Sequence, residues 1–205
     1  AAEKLGRAWI GIDITHLAIG LIEKRLRQAF QGVAFTTYGV PQDLAAAQDL
    51  ARRGRQDSRY YFEFEKWALS LIDAQPGNFS KRGADGGVDG NLYFGKTGRA
   101  IVSVKAGDNV GRAMIGDLKG VMDRQKADLA VFLTLTPPTQ PMVAEAASAG
   151  QVEVEGVIVP KVQIVTIEDA MRLRDRAVRL PLRRADTFRQ APREERGGRQ
   201  AAFDL

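Results

Sequence analysis

Hydrophobic spacing divides the chain into two parts that are separated by a polar stretch. Residues 8–14 form a nearly continuous apolar run of strand length, and residues 15–30 carry apolar positions at helical spacing. This succession predicts a strand, a turn and a helix from a buried parallel sheet. Residues 1–7 have the pattern of a helix end closed by Gly6 without a start signal, so we expect further structure upstream.

The second part begins at residue 59. Residues 31–58 contain several glycines, one proline and a run of arginines, which predicts a connector with one short helix at 43–51. The elements predicted after it are a helix at 59–73, strands at 88–94 and 99–105, a helix at 110–126, a strand at 129–136, a helix at 141–149 and a strand at 162–167. This order, α-β-β-α-β-α-β, indicates an α/β fold.

The two strands at 88–94 and 99–105 are expected to form a hairpin with one apolar and one polar face. The positions expected in the core are Val88, Leu92, Phe94, Ala100, Val102 and Val104. Burying them places Asp89 beside Ser103 and Lys105 on the other face. Opposed residues share a face, so the numbers of paired residues must add to an even total. The loop must therefore have an odd number of residues, such as three that include Gly95, or the hairpin must contain a bulge.

Composition excludes several kinds of chemistry. The chain has no Cys and one His, which rules out disulfides, thiolate metal sites and cysteine nucleophiles and most imidazole chemistry. Any catalysis must rest on Asp, Glu, Lys or Ser. No apolar run approaches the roughly 18 residues that span a bilayer, and the first residues do not resemble a signal peptide. We therefore expect a cytoplasmic protein without membrane contact.

The net charge of +5 is concentrated at one end of the chain. Residues 172–205 contain ten arginines against five acidic residues, which accounts for the whole excess. An Arg-rich segment favours a polyanionic partner such as DNA. The alternative is that the segment is solvated or contacts another domain.

The glycine-rich residues 83–90 and the strand that follows carry the candidate chemistry. A carboxylate entering a hairpin, Asp89, with Lys105 at the end of the partner strand, suits metal-assisted phosphodiester hydrolysis. The Asp would bind Mg²⁺, and the Lys would orient a water or offset developing charge. Asp85 is expected in a turn or in support of the site rather than as a ligand. The simpler interpretation is a flexible loop with solvated acids.

The helix at 59–73 offers two candidates for a further carboxylate. Its apolar stripe consists of Phe64, Trp67, Ala68 and Leu71. Glu65 shares its side of the helix with Leu69 and Ile72, whereas Glu63 lies with Lys66 and Ser70. A carboxylate near the core needs a partner or a metal. The pattern therefore favours Glu65, with Glu63 as the alternative.

Residues 59–170 resemble the Mrr-like branch of the PD-(D/E)xK restriction nucleases, whose pattern is an early-helix Glu, then G-x-D, then (E/Q)-x-K on the next strand. Asp89 matches the metal-binding Asp and Lys105 the catalytic Lys, while Ser103 stands where Glu or Gln is usual. The carbonyl of Val104 or a water would then replace that ligand. The resemblance implies a restriction-endonuclease-like core, a mixed sheet flanked by helices, with Mg²⁺ as cofactor and double-stranded DNA as substrate. Double-strand cutting also suggests a homodimer.

Residues 6–18 resemble a different family, the exocyclic-amino (N-4/N-6) DNA methyltransferases, at the segment that follows their AdoMet-binding glycine motif. The resemblance implies that Asp13 holds the AdoMet ribose in the complete parent polypeptide. The glycine motif would lie before Ala1, and the segment 136–139, Thr-Pro-Pro-Thr, lacks the flanking residues of a D-P-P-Y type motif. His16 is expected to be a solvated residue at the helix start.

These observations predict four segments: a β-α fragment of a Rossmann-like methyltransferase sheet at 1–34, a linker at 35–58, a nuclease domain at 59–171 and an Arg-rich tail at 172–205. The leading functional hypothesis is a Mg²⁺-dependent DNA endonuclease domain of a restriction-modification polypeptide. One alternative is a methyltransferase whose nuclease-like unit is degenerate and only binds DNA. Another is a DNA-binding module without enzymatic activity, which uses the nuclease fold and the basic tail.

Overall fold

The structure is a computed structural model that describes residues 1–77 and 87–184. In this part of the chain the α-helices are α1 (His16–Ala29), α2 (Leu44–Gln56), α3 (Ser58–Leu71), α4 (Arg112–Arg124), α5 (Gln140–Ala147) and α6 (Ile167–Leu173). The strands are β1 (Gln75–Pro76), β2 (Gly90–Phe94), β3 (Gly98–Lys105), β4 (Leu129–Thr134), β5 (Gln151–Val154), β6 (Val157–Pro160) and β7 (Val162–Thr166). None of the helices described is long and apolar enough to cross a membrane.

Five strands form a mixed sheet in the order β1-β2-β3-β4-β7. The pairs β1–β2 and β2–β3 are antiparallel, and the pairs β3–β4 and β4–β7 are parallel. Every residue of β4 is buried, as expected for a central strand covered by helices on both faces. Helix α3 packs on one face together with α2 and α6, and α4 and α5 pack on the other. The predicted α/β class, a mixed sheet flanked by helices, is confirmed.

The β2–β3 hairpin has the predicted register. Gly90 pairs with Val102 and Phe94 with Gly98, so the residue numbers add to an even total, and the loop has three residues. Gly95 opens this loop at φ 50°, a conformation that favours glycine. Five of the six positions expected in one core lie there: Leu92, Phe94, Ala100, Val102 and Val104. The prediction for Val88 is wrong, because β2 begins at Gly90 and Val88, outside the strand, packs on the opposite face.

The segment expected to be a linker contributes to the core. Helix α2 packs along α3 and buries Ala47 and Ala51 completely or nearly so in the same cluster as the α3 side chains. The two helices are in backbone contact, since a Cβ on Gly54 would lie 3.0 Å from Cα of Tyr61. Small residues at the α2 surface permit this approach. The sequence showed a short helix here but not its packing partner.

The predicted strand at residues 8–14 is absent. The segment has no strand pairing, and the side chains of Ile10, Ile12 and Ile14 are 91%, 90% and 93% exposed. A strand needs a neighbour to accept its backbone hydrogen bonds, and none of the five sheet strands lies beside this segment. The helix that follows is α1, as the pattern at residues 15–30 predicted, and the Thr15 hydroxyl caps its first turn by accepting from the N–H of Ala18.

The β5–β6 hairpin was not predicted. Its two-residue turn, Glu155 and Gly156, has φ values of 48° and 82°, the signature of the mirror-image turns that favour hairpins. Alternating valines on either side of a residue pair ending in glycine are the sequence signal for it.

The packing predicts that residues 1–34 are dispensable for folding of the rest. Among the residues described, neither core cluster contains a side chain from this segment. The contacts of α1 with α3 and the residues just after it include the Gly20–Ser70 approach, the His16–Glu63 pair and the partly exposed Lys24–Asp73 ion pair. Deleting residues 1–34 should lower the free energy of unfolding but leave a single cooperative transition in urea. A non-cooperative profile for the shortened chain would contradict this.

By contrast, α2 should be indispensable. Replacing Ala47, which is fully buried, by Glu should cost about 3 kcal/mol or more, because it places an unpaired carboxylate in the core. The exposed Ala45 on the same helix provides the matched control, for which Ala45→Glu should change stability by less than about 0.5 kcal/mol. Equal unfolding midpoints for the two variants would show that α2 is not part of the core.

Candidate functional site

Asp89 lies immediately before β2, where the chain enters the hairpin, and its backbone is held on both sides. Its N–H donates to the carbonyl of Val102 at 2.8 Å, and its own carbonyl accepts from the N–H of Gly77 at 2.8 Å. The peptide is therefore fixed between β3 and the segment after β1. This leaves the side chain at the end of the sheet where β2 has not yet begun.

The Asp89 carboxylate turns towards the end of β3. Its Oδ2 accepts a 2.6 Å hydrogen bond from the backbone N–H of Val104 and lies 3.4 Å from the hydroxyl of Ser103. Ser103 is nearly buried, and this contact satisfies its hydroxyl. The sequence prediction that Asp89 and Ser103 lie together is therefore confirmed in geometry, whatever role each has.

Both backbone groups of Val104 point to the edge of β3 on which Asp89 lies. In an extended strand the N–H and C=O of one residue point to the same neighbouring edge. Since the N–H of Val104 meets Asp89, its carbonyl also points to the edge on which Asp89 lies. The next carbonyl, that of Lys105, points the other way and accepts from the N–H of Leu135 at 3.1 Å.

Lys105 is the last residue of β3 and is half-buried. By strand alternation it projects from the same face as Ser103. Burial raises the pKa of both Asp89 and Glu65, and the Lys105 ammonium lowers both. The ammonium therefore lies within electrostatic range of both carboxylates.

Helix α3 supplies Glu65 from its buried side. The Glu65 side chain is 6% exposed, and burial, together with the charge of Asp89, raises its pKa from 4.5 to about 7. Glu63 instead faces His16, at 4.0 Å, and Lys66, at 3.6 Å. Of the two candidate carboxylates, the structure therefore brings Glu65 close to Asp89.

Burial disfavours the ionised form of both carboxylates, and the positive charge of Lys105 counteracts this effect at each. Burial raises the pKa of Asp89, while the Val104 N–H, Lys105 and Ser103 act in the opposite direction. Two partly desolvated carboxylates beside a backbone carbonyl form an all-oxygen donor set, which suits a hard cation such as Mg²⁺. Among residues 1–77 and 87–184 no group of three Asp, Glu or His side chains converges, so the remaining ligands of such an ion would be the carbonyl and water.

Tyr61 also lies within electrostatic range of the two carboxylates, although it was not singled out from the sequence. Its side chain is 39% exposed, and burial, followed by the charges of Asp89 and Glu65, raises the pKa of its hydroxyl. Tyr61 precedes Glu65 by four residues, so the two side chains lie on one face of α3. That spacing was the signal available in the sequence.

The other singled-out residues lie elsewhere. The exposed Asp13 accepts hydrogen bonds from the Thr15 N–H at 2.9 Å and hydroxyl at 3.1 Å, just before α1. His16 was expected to be solvated, but it is partly buried between α1 and α3, and this burial lowers its pKa. Asp85 lies outside the described residues.

The comparisons with known proteins relate one segment of the chain to a known family. A search of curated proteins found no match. Residues 58–158, close to half of the chain, match the family model Mrr_cat, described as a restriction endonuclease. The matched segment runs from the first residue of α3 through β3 to β6, and so contains Glu65, Asp89, Ser103 and Lys105. Residues 58–158 are therefore similar to a restriction endonuclease family, which consists of nucleases that hydrolyse DNA phosphodiester bonds.

Proposed function

We propose that the chain carries a Mg²⁺-dependent DNA endonuclease with its active site at the end of β3. The observation that carries the proposal is the Asp89 carboxylate held against Val104 and Ser103, with Glu65 and Lys105 within electrostatic range. The match of residues 58–158 to a restriction endonuclease family supports the same reaction. Phosphodiester hydrolysis with this residue set requires no cysteine or histidine.

Asp89, Glu65 and the carbonyl of Val104 would hold the metal. When bound, Mg²⁺ supplies Lewis-acid stabilisation of the charge on the scissile phosphate. The Val104 N–H and the Ser103 hydroxyl both contact Asp89 Oδ2, so we assign the other carboxylate oxygen to the metal. Glu65, being nearly buried, is held by the packing of α3 rather than by solvent contacts.

Lys105 and Ser103 have different tasks in this proposal. The Lys105 ammonium donates to the attacking water or to a phosphate oxygen and offsets the negative charge that develops there. Ser103 acts as a positioning residue, because its hydroxyl contacts Asp89 and its nearly buried side chain has little exposure to substrate.

The serine also favours a second candidate function. Ser103 provides no carboxylate where the resembled family has Glu or Gln, and a domain with one ligand fewer would bind DNA without cutting it. The fusion to an AdoMet-dependent methyltransferase and the homodimer both stay predictions. The two candidate functions differ in one measurable property, which is metal-dependent cleavage.

Cleavage of supercoiled plasmid should depend on Asp89 and Lys105. Asp89→Asn keeps an oxygen that accepts from Val104 but removes the charge, so it should reduce Mg²⁺-dependent nicking by about 100-fold or more. Lys105→Ala should reduce nicking similarly while Mg²⁺ binding by calorimetry is largely retained, since Lys is not a metal ligand.

Asp117→Asn, an exposed residue of α4, is the matched control and should cleave like the unaltered chain. Unchanged nicking by Asp89→Asn would overturn the site. Absence of metal-dependent cleavage by the unaltered chain, on both methylated and unmethylated DNA, would favour the binding module.

The raised pKa of Glu65 predicts a pH-dependent stability. The pKa of this carboxyl is 4.5 in the unfolded chain and about 7 in the folded chain. Its contribution to stability is therefore fully present below about pH 4.5 and is lost as the pH rises through about 7. Without metal, Glu65→Gln should therefore be more stable than the unaltered chain at about pH 8, by on the order of 1–3 kcal/mol, and gain little at about pH 4.5.

Added Mg²⁺ should stabilise the unaltered chain more at about pH 8 than at about pH 5, because the ligand must be ionised. Urea unfolding with and without Mg²⁺ measures both effects. Glu63→Gln should retain the Mg²⁺ response, since Glu63 faces His16 and Lys66. A full Mg²⁺ response in Glu65→Gln would exclude Glu65 as a ligand.

A further inference from the structure

A groove of about 410 Å³ lies at the carboxyl ends of β3 and β4. One wall is the last two turns of α2, where Arg52 and Arg55 project, and the other wall consists of Asp108 and the segment after β4 that contains Leu135 and Thr136. We call this the α2 groove. One wall of the groove thus presents two guanidinium groups, and the opposite wall presents one carboxylate and backbone groups.

The α2 groove adjoins the proposed active site. The N–H of Leu135 donates to the carbonyl of Lys105 at 3.1 Å, and the hydroxyl of Thr136 donates to the carbonyl of Gly107 at 3.3 Å. The wall opposite α2 is therefore hydrogen-bonded to the residues that directly end β3. A chain of phosphates crossing the end of β3 would pass from one site to the other.

Both arginines are exposed on a well-anchored helix. Arg52 and Arg55 are 69% and 55% exposed, while Ala47 and Ala51 fix α2 against the core. The nearest acid to Arg52 is Asp49, at 3.7 Å and itself 43% exposed. Such exposed pairs contribute little, typically about 0–1 kcal/mol, so either guanidinium is available to a stronger anion.

Asp108 shows how an anion sits in the groove. Its carboxylate forms an ion pair with the Arg55 guanidinium across the groove, and it is 74% exposed. A phosphate presents oxygens at similar spacing, and guanidinium binds phosphate and carboxylate in the same two-point geometry. Asp108 therefore occupies a position that fits a phosphate group.

We propose that the α2 groove binds a phosphate of the DNA backbone through Arg52 and Arg55, and that Asp108 occupies this position until DNA displaces it. The proposal rests on the proposed function and deepens it by assigning a substrate contact beside the active site. Asp108 is then a competitor of the substrate, so removing its charge strengthens binding.

Fluorescence anisotropy with a labelled DNA duplex, in EDTA to prevent cleavage, tests the proposal on the full chain. Arg52→Gln/Arg55→Gln should weaken binding about tenfold and reduce the slope of log affinity against log salt by about 0.9 for each arginine, measured between about 50 and 200 mM KCl. Asp108→Asn should tighten binding by about 1.5- to 5-fold, the range expected for loss of one exposed ion pair.

Arg124→Gln is the matched control. Arg124 is exposed in the last turn of α4. Since α4 runs from the carboxyl end of β3 to the amino end of β4, this arginine lies at the opposite end of the strands from the groove. Its substitution should leave the affinity for DNA and the salt dependence of that affinity unchanged. Unfolding midpoints of all variants verify that each one is folded.

The proposal would be overturned if the double variant had the same affinity and the same salt slope as the unaltered chain. Weaker DNA binding by Asp108→Asn would also overturn it. Failure of the proposed function gives a different result. In that case the unaltered chain does not cleave plasmid with Mg²⁺, whereas the changes in affinity are still observed.

Discussion

The hydrogen bond from the Val104 N–H to the Asp89 carboxylate determines the arrangement of the candidate site. It forms where the antiparallel pairing of β2 and β3 stops, so a side chain replaces the next backbone acceptor of the ladder. The same carboxylate satisfies the Ser103 hydroxyl. One acidic side chain thereby completes the hydrogen bonding at the end of β3 and presents negative charge at the carboxyl end of this strand.

This arrangement has an energetic cost that the rest of the fold offsets. Burial raises the pKa of both Asp89 and Glu65, and the charge of Asp89 raises the pKa of Glu65 further. The α2–α3 and β4 packing supplies the apolar burial that compensates for it. Charged groups at such a site are typical of function rather than of stability, since an apolar pair would pack at lower cost.

The sequence was sufficient where local alternation determined the outcome and insufficient where a packing partner had to be known. The parity of the β2–β3 register and the burial of Glu65 both followed from the positions of apolar neighbours, whereas the role of Glu65 as a ligand stays a prediction. The strand at residues 8–14 failed because apolar composition does not supply a hydrogen-bonding neighbour. Helix α2 was taken for a connector because its buried surface consists of alanines, which carry no strong hydrophobic signal.

The close approach at Gly54 gives the α2–α3 pair a mechanical property. Asp57 lies between the two helices and caps both, since its N–H donates to the carbonyl of Arg53 and its side chain accepts from the N–H of Arg59. At Gly54 no side chain separates the two backbones, so α2 has little room to move towards α3 without displacing the backbone at Tyr61. Arg52 and Arg55 are therefore carried at a fixed separation from the backbone of α3, the helix that bears Glu65.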